Sequence, residues 1–317
     1  MKPKISVILC TYNGENLIKS CLNSILSQNY KNFEVICVDG MSSDNTQEII
    51  KDYQRKDKRI KLIINKNRLP EGAGNGKWLG FKKSRGKIIG MIDQDNILQK
   101  KDLFENVTKI IGKEKDIVGI LGGSKHDKSD KPIVRYVSLF GTDSFFAYRS
   151  IDFLRNLKNQ SGKYETFILE EDNMPLTGGN CFFYKKEDLS KIGGYTQDVV
   201  GIQKLLKKSK NKLIVIKDAT KHYAEKSLFS LAKKKFMWGR KYFVRKEEGF
   251  DYMPKTKKEA FAFTKNFVFN ILIIPNLFPS FAVYIESKDP VAFLFPVMAF
   301  FNTLAYGLNF IRQKLNI

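Results

Sequence analysis

Two aspartates separated by a single residue, Asp93 and Asp95, follow a short apolar run. That run, Ile88–Ile92, has the composition of a strand that is buried on both faces. Side chains two positions apart on an extended chain point the same way, so both carboxylates can face one side of the strand end. Carboxylates placed like this can hold a hard divalent cation, which takes oxygen ligands and bridges phosphates. A solvated turn is the alternative, because Asp is common in turns.

The residues before this pair alternate between predicted strands and predicted helices. Ile5–Cys10, Phe33–Val38 and Ile60–Ile64 have the composition of strands, and apolar residues at helical spacing predict a helix over 17–28. This alternation indicates an α/β fold with a mainly parallel sheet flanked by helices. Ligands bind such sheets at the carboxyl ends of the strands.

The chain carries a large excess of positive charge. Lys and Arg number 55 against 33 Asp and Glu, which gives a formal net charge of +22. Such an excess favours a polyanionic partner, either nucleic acid or an anionic membrane surface. The sequence has no RNP, zinc-finger or helix-turn-helix signature, so we expect no nucleic-acid partner. The four cysteines lack metal-binding spacing and indicate buried thiols in a reducing compartment.

Three motifs occur in order along the first third of the chain. They are Ser-Val-Ile-Leu-Cys-Thr-Tyr-Asn-Gly at 6–14, Val-Asp-Gly-Met-Ser-Ser-Asp-Asn-Thr at 38–46, and Asp-Gln-Asp at 93–95. Together, at this spacing, they resemble the family-two inverting glycosyltransferases, which have the glycosyltransferase A fold. The resemblance extends from about Ile5 to Tyr223.

The resemblance implies a nucleotide-sugar donor and assigns it a set of binding residues. The ends of the first two strands would hold the nucleoside, Asp93 would lie near the ribose, and Lys77 stands where the family often has an arginine that contacts phosphate. The implied donor-binding residues are Thr11, Tyr12, Asn13, Asp39, Lys77 and Asp93.

The same resemblance implies a metal cofactor, Mg²⁺ or Mn²⁺, on the donor diphosphate. Asp95 is the implied ligand, with Asp93 beside it. The family often has a histidine after the last strand that completes this site, and His222 occupies that position. Neutral imidazole suits Mn²⁺ better than Mg²⁺. A structural role for His222 is the alternative.

A Gly-Gly-Tyr segment at 193–195 leads to Gln197 and Asp198. In the family this segment leads to an acidic pair whose aspartate is the catalytic base, which implies that role for Asp198. An aspartate at a helix start can also be an ordinary N-cap. The Gln-x-x-Arg-Trp motif of processive synthases is absent, since the chain reads Gln-Lys-Leu-Leu at 203–206, and this fits transfer of a single sugar.

Composition changes near residue 226. Residues 226–258 predict basic amphipathic helices, which suit a membrane interface, although a core-facing helix with a solvated basic face has the same pattern. Two apolar runs follow, Phe267–Ile285 and Val291–Ile311, each close to the length that crosses a bilayer. Basic residues flank the pair, which predicts a membrane hairpin with both ends cytoplasmic. Buried or in-plane helices are the alternative.

These observations predict three parts: a catalytic domain over 1–225, interface helices over 226–258 and a membrane hairpin over 259–317. The predicted function is metal-dependent transfer of one sugar to a lipid-linked acceptor at the cytoplasmic membrane face. That acceptor would be a polyprenyl phosphate or a polyprenyl-diphosphate-linked glycan. A basic nucleic-acid-binding protein and a sugar nucleotidyltransferase are the alternatives. We expect His126, in a polar loop, to be solvated.

Overall fold

The structure is a computed structural model that describes residues 4–67, 74–141, 157–160, 164–170, 180–195, 198–223, 227–244 and 257–315. The strands are β1 (Ile5–Thr11), β2 (Phe33–Asp39), β3 (Ile60–Ile64), β4 (Ile88–Asp93), β5 (Asn96–Leu98), β6 (Ile117–Ser124), β7 (Leu157–Gln160), β8 (Glu165–Ile168), β9 (Phe182–Lys185) and β10 (Lys212–His222).

The helices are α1 (Ile18–Leu26), α2 (Thr46–Lys56), α3 (Gly74–Lys83), α4 (Leu103–Lys113), α5 (Pro132–Phe140), α6 (Lys186–Lys191), α7 (Asp198–Leu206), α8 (Leu228–Val244), α9 (Lys257–Leu272), α10 (Leu277–Ser287) and α11 (Phe295–Leu315).

The chain divides into two compact units. Unit 1 comprises Met1–Lys125 and Phe153–His222, and unit 2 comprises His126–Asp152 and Tyr223–Ile317. In this division residues 126–152 fall in the same unit as the C-terminal helices, and the catalytic domain over 1–225 stays a prediction. The separate boundary predicted at 258 stays a prediction.

A single mixed sheet organises unit 1. Its described strands run in the order β3-β2-β1-β4-β9-β6-β10-β8-β7, and β5 pairs with β10. The first four are parallel, as alternating strands and helices predict. β9 is antiparallel to both β4 and β6, which makes the second half of the sheet mixed. The α/β fold class is confirmed.

The core of unit 1 lies between this sheet and the helices packed on it. β1 and β2 are buried at every position, which explains why both read as nearly continuous apolar runs. Phe104 on α4 is fully buried, and its ring meets those of Phe33 and Phe183 at centroid distances of 5.2 and 5.9 Å. Burial of one such aromatic side chain contributes about 1.5–3 kcal/mol. This cluster therefore helps to hold β2 and β9 against α4.

Unit 2 has a core of its own. Ile133 and Val137 on α5 pack with Leu231 on α8 and with Phe295 and Met298 on α11. We expected His126 to be solvated, and this is wrong: its side chain is 18% exposed and its Nε2 lies 3.4 Å from Oδ2 of Asp289. His126 is therefore packed against the buried carboxylate of Asp289, whose side chain is 1% exposed.

The C-terminal helices include candidate membrane spans, judged by length and composition. Among the described residues, one stretch, Pro290–Asn309, has the length and hydropathy of a membrane span. A second candidate is a bent pair, Ala260–Leu272 with Ile274–Ser287, whose two arms differ in direction by 96°. These correspond to the two apolar runs expected from the sequence.

Candidate active site

The carboxyl ends of β1, β2 and β4 are level with one another. In the sheet register Thr11 is opposite Asp39, and Cys10 is opposite Asp93. Parallel strands place their carboxyl ends at one edge of the sheet, which is where α/β proteins bind ligands. The side chains named from the three motifs therefore meet at this edge.

Asp39 is the fully buried carboxylate of this edge. Its Oδ2 accepts hydrogen bonds from Thr11 Oγ1 at 2.9 Å and Ser42 Oγ at 2.5 Å. Its Oδ1 accepts from Ser42 N at 2.8 Å and Gln47 Nε2 at 2.7 Å. Four donors fill the acceptor positions of a carboxylate. Asp39 thus orders the surrounding loops, and a direct contact with a nucleoside would require one of these bonds to be exchanged.

The loop after β1 is held by the residue between the two aspartates. Gln94 accepts a hydrogen bond from Tyr12 N and donates one to Tyr12 O, both at 3.0 Å. A Cβ at Gly14 would overlap Oε1 of Gln94, so a larger residue there would displace the Gln94 side chain from the Tyr12 backbone. Asn13 has a φ of 46° and accepts a hydrogen bond from Ser43 N at 2.9 Å. Asn tolerates this left-handed conformation better than most residues.

A buried lysine stands between two carboxylates at the end of β4. Lys77 Nζ lies 3.1 Å from Oδ1 of Asp93 and 3.6 Å from Oδ1 of Asp198. Lys77 is 4% exposed, whereas the side chain of Asp198 is 47% exposed. The lysine is therefore enclosed by the protein, and the carboxylate of Asp198 can be reached from solvent.

The pKa values of this cluster are displaced by burial and by shared charge. Burial raises the pKa of Asp93 to about 6; Lys77 opposes that rise, while Asp95 and Asp198 add to it. Burial opposes ionisation of Lys77, but Asp198 and Asp93 outweigh it and hold the pKa of Lys77 well above its usual value. The lysine remains charged, and the nearby carboxylates share its single positive charge.

Asp95, which follows β4, and His222, at the end of β10, lie close together. His222 Nε2 lies 3.4 Å from Oδ2 of Asp95, because β10 and β5 pair so that His222 is opposite Asn96. The amide nitrogen of Asn180 lies 3.0 Å from His222 Nδ1. The Oδ1 atom of Asn180 is buried and has no hydrogen-bond partner in the part of the chain that the structure describes.

The donors at this point fit a divalent cation that is completed by a substrate. No group of three or more His, Cys, Asp or Glu side chains that could hold a metal ion occurs among the described residues. Asp95, His222 and the orphaned oxygen of Asn180 offer one carboxylate, one imidazole and one amide oxygen. Mg²⁺ and Mn²⁺ sites of enzymes that act on phosphates commonly use few protein ligands and take the rest from phosphates and water.

The Gly-Gly-Tyr segment positions Asp198. The hydroxyl of the buried Tyr195 donates a hydrogen bond to Asp198 Oδ1 at the start of α7. Gly194 has a φ of 92° and lies against the Trp78 ring, where a side chain would not fit. The glycine is therefore needed both for its backbone conformation and for its close approach to α3. Gln197, the other half of the expected acidic pair, lies outside the described residues.

The structure brings the predicted residues into three adjoining groups, and it adds several that the sequence did not assign. Thr11, Asn13 and Asp39 form the first group, Lys77, Asp93 and Asp198 the second, and Asp95 and His222 the third. The added residues are uncharged, and in the motifs only their charged neighbours suggested a chemical role. They are Ser42, Gln94, Asn180 and Tyr195.

Comparison with known proteins agrees with this geometry. The family model described as Glycosyl transferase family 2 matches residues 6–193. Glycosyltransferase GlyG of Streptococcus pneumoniae is 32% identical over 139 residues, which are 44% of this chain and 45% of that protein. A Campylobacter jejuni protein named GalNAc(5)-diNAcBac-PP-undecaprenol beta-1,3-glucosyltransferase is 34% identical over 96 residues, 30% of this chain and 31% of that one. The chain thus matches less than half the length of these relatives.

Solved structures with the same fold extend over nearly the whole chain. The mannosyltransferase PcManGT from Pyrobaculum calidifontis, in complex with GDP-Man and Mn²⁺, has a TM-score of 0.57 at 16% identity and covers 98% of this chain and 88% of its own. S. aureus TarS has a TM-score of 0.51 at 18% identity, covering 100% and 92%. Both similarities concern the fold, which is of the glycosyltransferase A type. With its family model matched over more than half its length, the chain belongs to glycosyltransferase family 2.

Proposed function

We propose that this chain is a metal-dependent inverting glycosyltransferase that moves one sugar from a nucleotide-sugar to a lipid-linked acceptor at the cytoplasmic face of a membrane. The observation that carries the proposal is the juxtaposition of Lys77, Asp93 and Asp198 beside Asp95 and His222 at the carboxyl edge of the sheet. Membership of glycosyltransferase family 2 favours sugar transfer over the two alternatives, nucleic-acid binding and nucleotidyl transfer.

The donor would lie along the carboxyl ends of β1, β2 and β4. The loops ordered by Asp39 and Gln94 would enclose the nucleoside, with Thr11, Tyr12 and Asn13 as their nearest residues. Lys77 is charged and adjoins Asp93, so it suits a position near the donor phosphates. Asp95 and His222 would hold the cation, with Asp93 nearby, and a bound cation supplies positive charge to the leaving diphosphate.

Asp198 is the proposed general base. Its carboxylate is half exposed, and Tyr195 and Lys77 fix it in place. It would take the proton of an acceptor hydroxyl as that oxygen bonds to the anomeric carbon. The bond from that carbon to the diphosphate oxygen breaks at the same time, and its electrons leave with the nucleoside diphosphate. Direct displacement of this kind inverts the anomeric configuration.

A lipid-linked acceptor is supported by two observations. The Campylobacter relative is named for transfer to an undecaprenol-diphosphate-linked glycan. The C-terminal third of this chain has a candidate span at Pro290–Asn309. We therefore propose a polyprenyl phosphate or a polyprenyl-diphosphate-linked glycan as the acceptor and an anionic membrane as the site of action.

A nucleotide-sugar hydrolysis panel with Mn²⁺ or Mg²⁺ tests the proposal. We expect turnover of at least one donor, its loss with EDTA, and its loss in Asp95→Asn. Activity that survives both EDTA and Asp95→Asn would exclude the metal role. The two acceptor types are separated by Asp198→Asn, because a lipid phosphate is already anionic and needs little help from a base. A large loss with hydroxyl acceptors and a small loss with polyprenyl phosphate is the expected pattern.

A further inference from the structure

Unit 2 exposes a continuous apolar stripe on α11. Its members recur every three or four residues, so they lie on one face of the helix. Soluble monomers seldom expose large contiguous apolar patches, and such patches mark partner or membrane surfaces. The exposed residues of this stripe are Val297, Phe301, Leu304, Leu308, Ile311 and Leu315.

The opposite face of α11 is committed to protein contacts. Near its start, Phe295 and Met298 pack with Leu231 of α8. Near its end, Asn309 donates a hydrogen bond to Phe236 O at 2.9 Å, and the Arg312 guanidinium lies 5.5 Å from the Phe236 ring centroid. Both ends of α11 are thus anchored to α8, a helix that also carries charged residues.

The connection between α10 and α11 returns to the polar part of unit 2. Asp289 is 1% exposed, and its Oδ1 lies 3.1 Å from Arg135 Nη1 and accepts a hydrogen bond from Val291 N at 3.0 Å. Its Oδ2 lies 3.4 Å from His126 Nε2. A membrane cannot separate residues in direct contact, so this connection lies on the same side of a membrane as His126 and Arg135.

The bent pair α9 and α10 fits the same conclusion. Its arms differ in direction by 96° instead of continuing across a bilayer. At the bend, Ile273 has a φ of 62°, and the Asn276 side chain donates to Asn270 Oδ1 at 3.0 Å. Both asparagine side chains are buried, whereas Ile273 and Ile274 at the bend itself are 39% and 71% exposed.

We infer that the C-terminal helices do not cross the membrane but lie in one leaflet of an anionic bilayer, with the stripe of α11 inserted and the α10–α11 connection on the side of His126 and Arg135. The net charge of +22 selects an anionic surface. Exposed cations flank the apolar helices: Lys257 and Lys265 on α9, and Arg312 on α11. Lys265 lies 5.4 Å from the Phe269 ring centroid, which is the position of a side chain that reaches from apolar surface toward headgroups.

Cysteine labelling of the full chain distinguishes this arrangement from a spanning hairpin. The four native cysteines are buried, so a membrane-impermeant maleimide reports on introduced thiols. Glu286→Cys places an exposed thiol at the end of α10, and Lys56→Cys is the matched control on α2 of unit 1. Each variant is expressed in cells and labelled in spheroplasts and in inverted membrane vesicles.

We expect both variants to react in inverted vesicles and neither in spheroplasts. Reaction of Glu286→Cys in spheroplasts, with Lys56→Cys still reactive only in inverted vesicles, would overturn the inference in favour of a spanning hairpin. Recovery of the wild-type protein in the soluble fraction of lysed cells would overturn the inference in favour of a protein partner or a second copy on the stripe. These readouts do not depend on sugar transfer, so they stand whether or not the proposed activity is found.

A binding measurement tests the stripe itself. The double variant Phe301→Ser, Leu308→Ser removes two exposed apolar side chains that have no part in the candidate active site. We expect its partitioning onto phosphatidylglycerol vesicles to fall at least about tenfold, because each substitution removes an apolar side chain that would be buried in the membrane. Wild type should bind phosphatidylcholine vesicles much more weakly. Unchanged partitioning of the double variant, with its melting temperature also unchanged, would contradict insertion of this face.

Discussion

The two ends of the parallel strands carry similar charges and satisfy them differently. At the amino end, the buried Glu34 accepts hydrogen bonds from Ser6 Oγ at 2.8 Å and Arg85 N at 2.9 Å, and Lys61 Nζ and Arg85 Nη2 lie 3.3 and 2.9 Å from its Oε2. Burial opposes ionisation, but these hydrogen bonds hold the pKa of Glu34 below its ordinary value. This end is a completed structural network.

At the carboxyl end, acidic side chains outnumber the basic side chain that lies among them. Lys77 lies between Asp93 and Asp198, and Asp95 stands close enough to add to the rise in the pKa of Asp93. Negative charge therefore exceeds positive charge among these four side chains. A buried acid with enough donors stabilises the fold, whereas acids that share one lysine leave room for a further cation. The difference supports the carboxyl end as the proposed functional site.

The largest expected effect is on catalysis. Asp198→Asn keeps the shape of the side chain and removes the proposed base, so we expect the transfer rate to hydroxyl acceptors to fall about 10²- to 10⁴-fold. Donor binding should change little. The matched control is Asp116→Asn, an exposed aspartate paired with Lys210 at the amino end of β6, which should retain activity. Equal losses in the two variants would contradict the assignment.

Glu34→Gln should be the most destabilising change at the amino end. We expect a loss of about 1–3 kcal/mol in the free energy of unfolding at pH 7, because a buried, charge-assisted network is left incomplete. The pKa of Glu34 is lowered by folding, so its contribution is present above the unfolded pKa and is lost as the pH falls through the folded pKa. Urea denaturation at pH 7 and in acid measures this difference.

The control for that experiment is Glu48→Gln on α2, whose exposed carboxylate lies 3.3 Å from Lys51. An exposed pair contributes about 0–1 kcal/mol, so this variant should differ little from wild type. If Glu34→Gln were as mild at pH 7, the amino end would not be the structural network described above.

Asp93→Asn should act in the opposite direction on stability. It removes one of the carboxylates that share Lys77, so in EDTA at pH 8 we expect the melting temperature to rise by a few degrees. Sugar transfer should fall in the same variant. Calorimetry and a donor turnover assay measure the two effects. A lower melting temperature in EDTA would show that Asp93 is as well satisfied as Glu34.

The smallest expected effect concerns the loop after β1. Gln94→Ala removes both hydrogen bonds to the Tyr12 backbone. A typical net contribution of about 1 kcal/mol for such bonds corresponds to roughly a fivefold rise in the KM for the donor. The kcat should change less. Steady-state kinetics with varied donor separates the two, and a fall in kcat at constant KM would place Gln94 in the chemical step instead.

Several parts of this arrangement follow from the sequence because they depend on local pattern. The apolar runs of β1 to β4 and the alternation with helices predict the parallel half of the sheet. The family motifs then place Asp39, Asp93 and Asp95 at one edge. Local pattern does not predict β9, whose antiparallel insertion between β4 and β6 depends on contacts between distant segments.

The site residues that the sequence did not assign were missed for the same reason, because their roles depend on contacts between distant segments. Gln94 and Asn180 carry no charge, and their roles depend on what lies opposite them in space, Tyr12 and His222. Asp39 was expected to contact a nucleoside, and only the structure shows that four protein donors already surround it. Likewise, Asp289 lies in the connection between α10 and α11, and its contacts with Arg135 and His126 join segments far apart in sequence.

Mn²⁺ binding measured by electron paramagnetic resonance, with UDP or GDP present, tests the central claim most directly. The Asp95–His222 pair is proposed to hold the cation together with the diphosphate. We predict that wild type and Asp116→Asn bind Mn²⁺ equally, and that Asp95→Asn binds it at least about 100-fold more weakly. Equal Mn²⁺ affinity in Asp95→Asn and wild type would contradict the account.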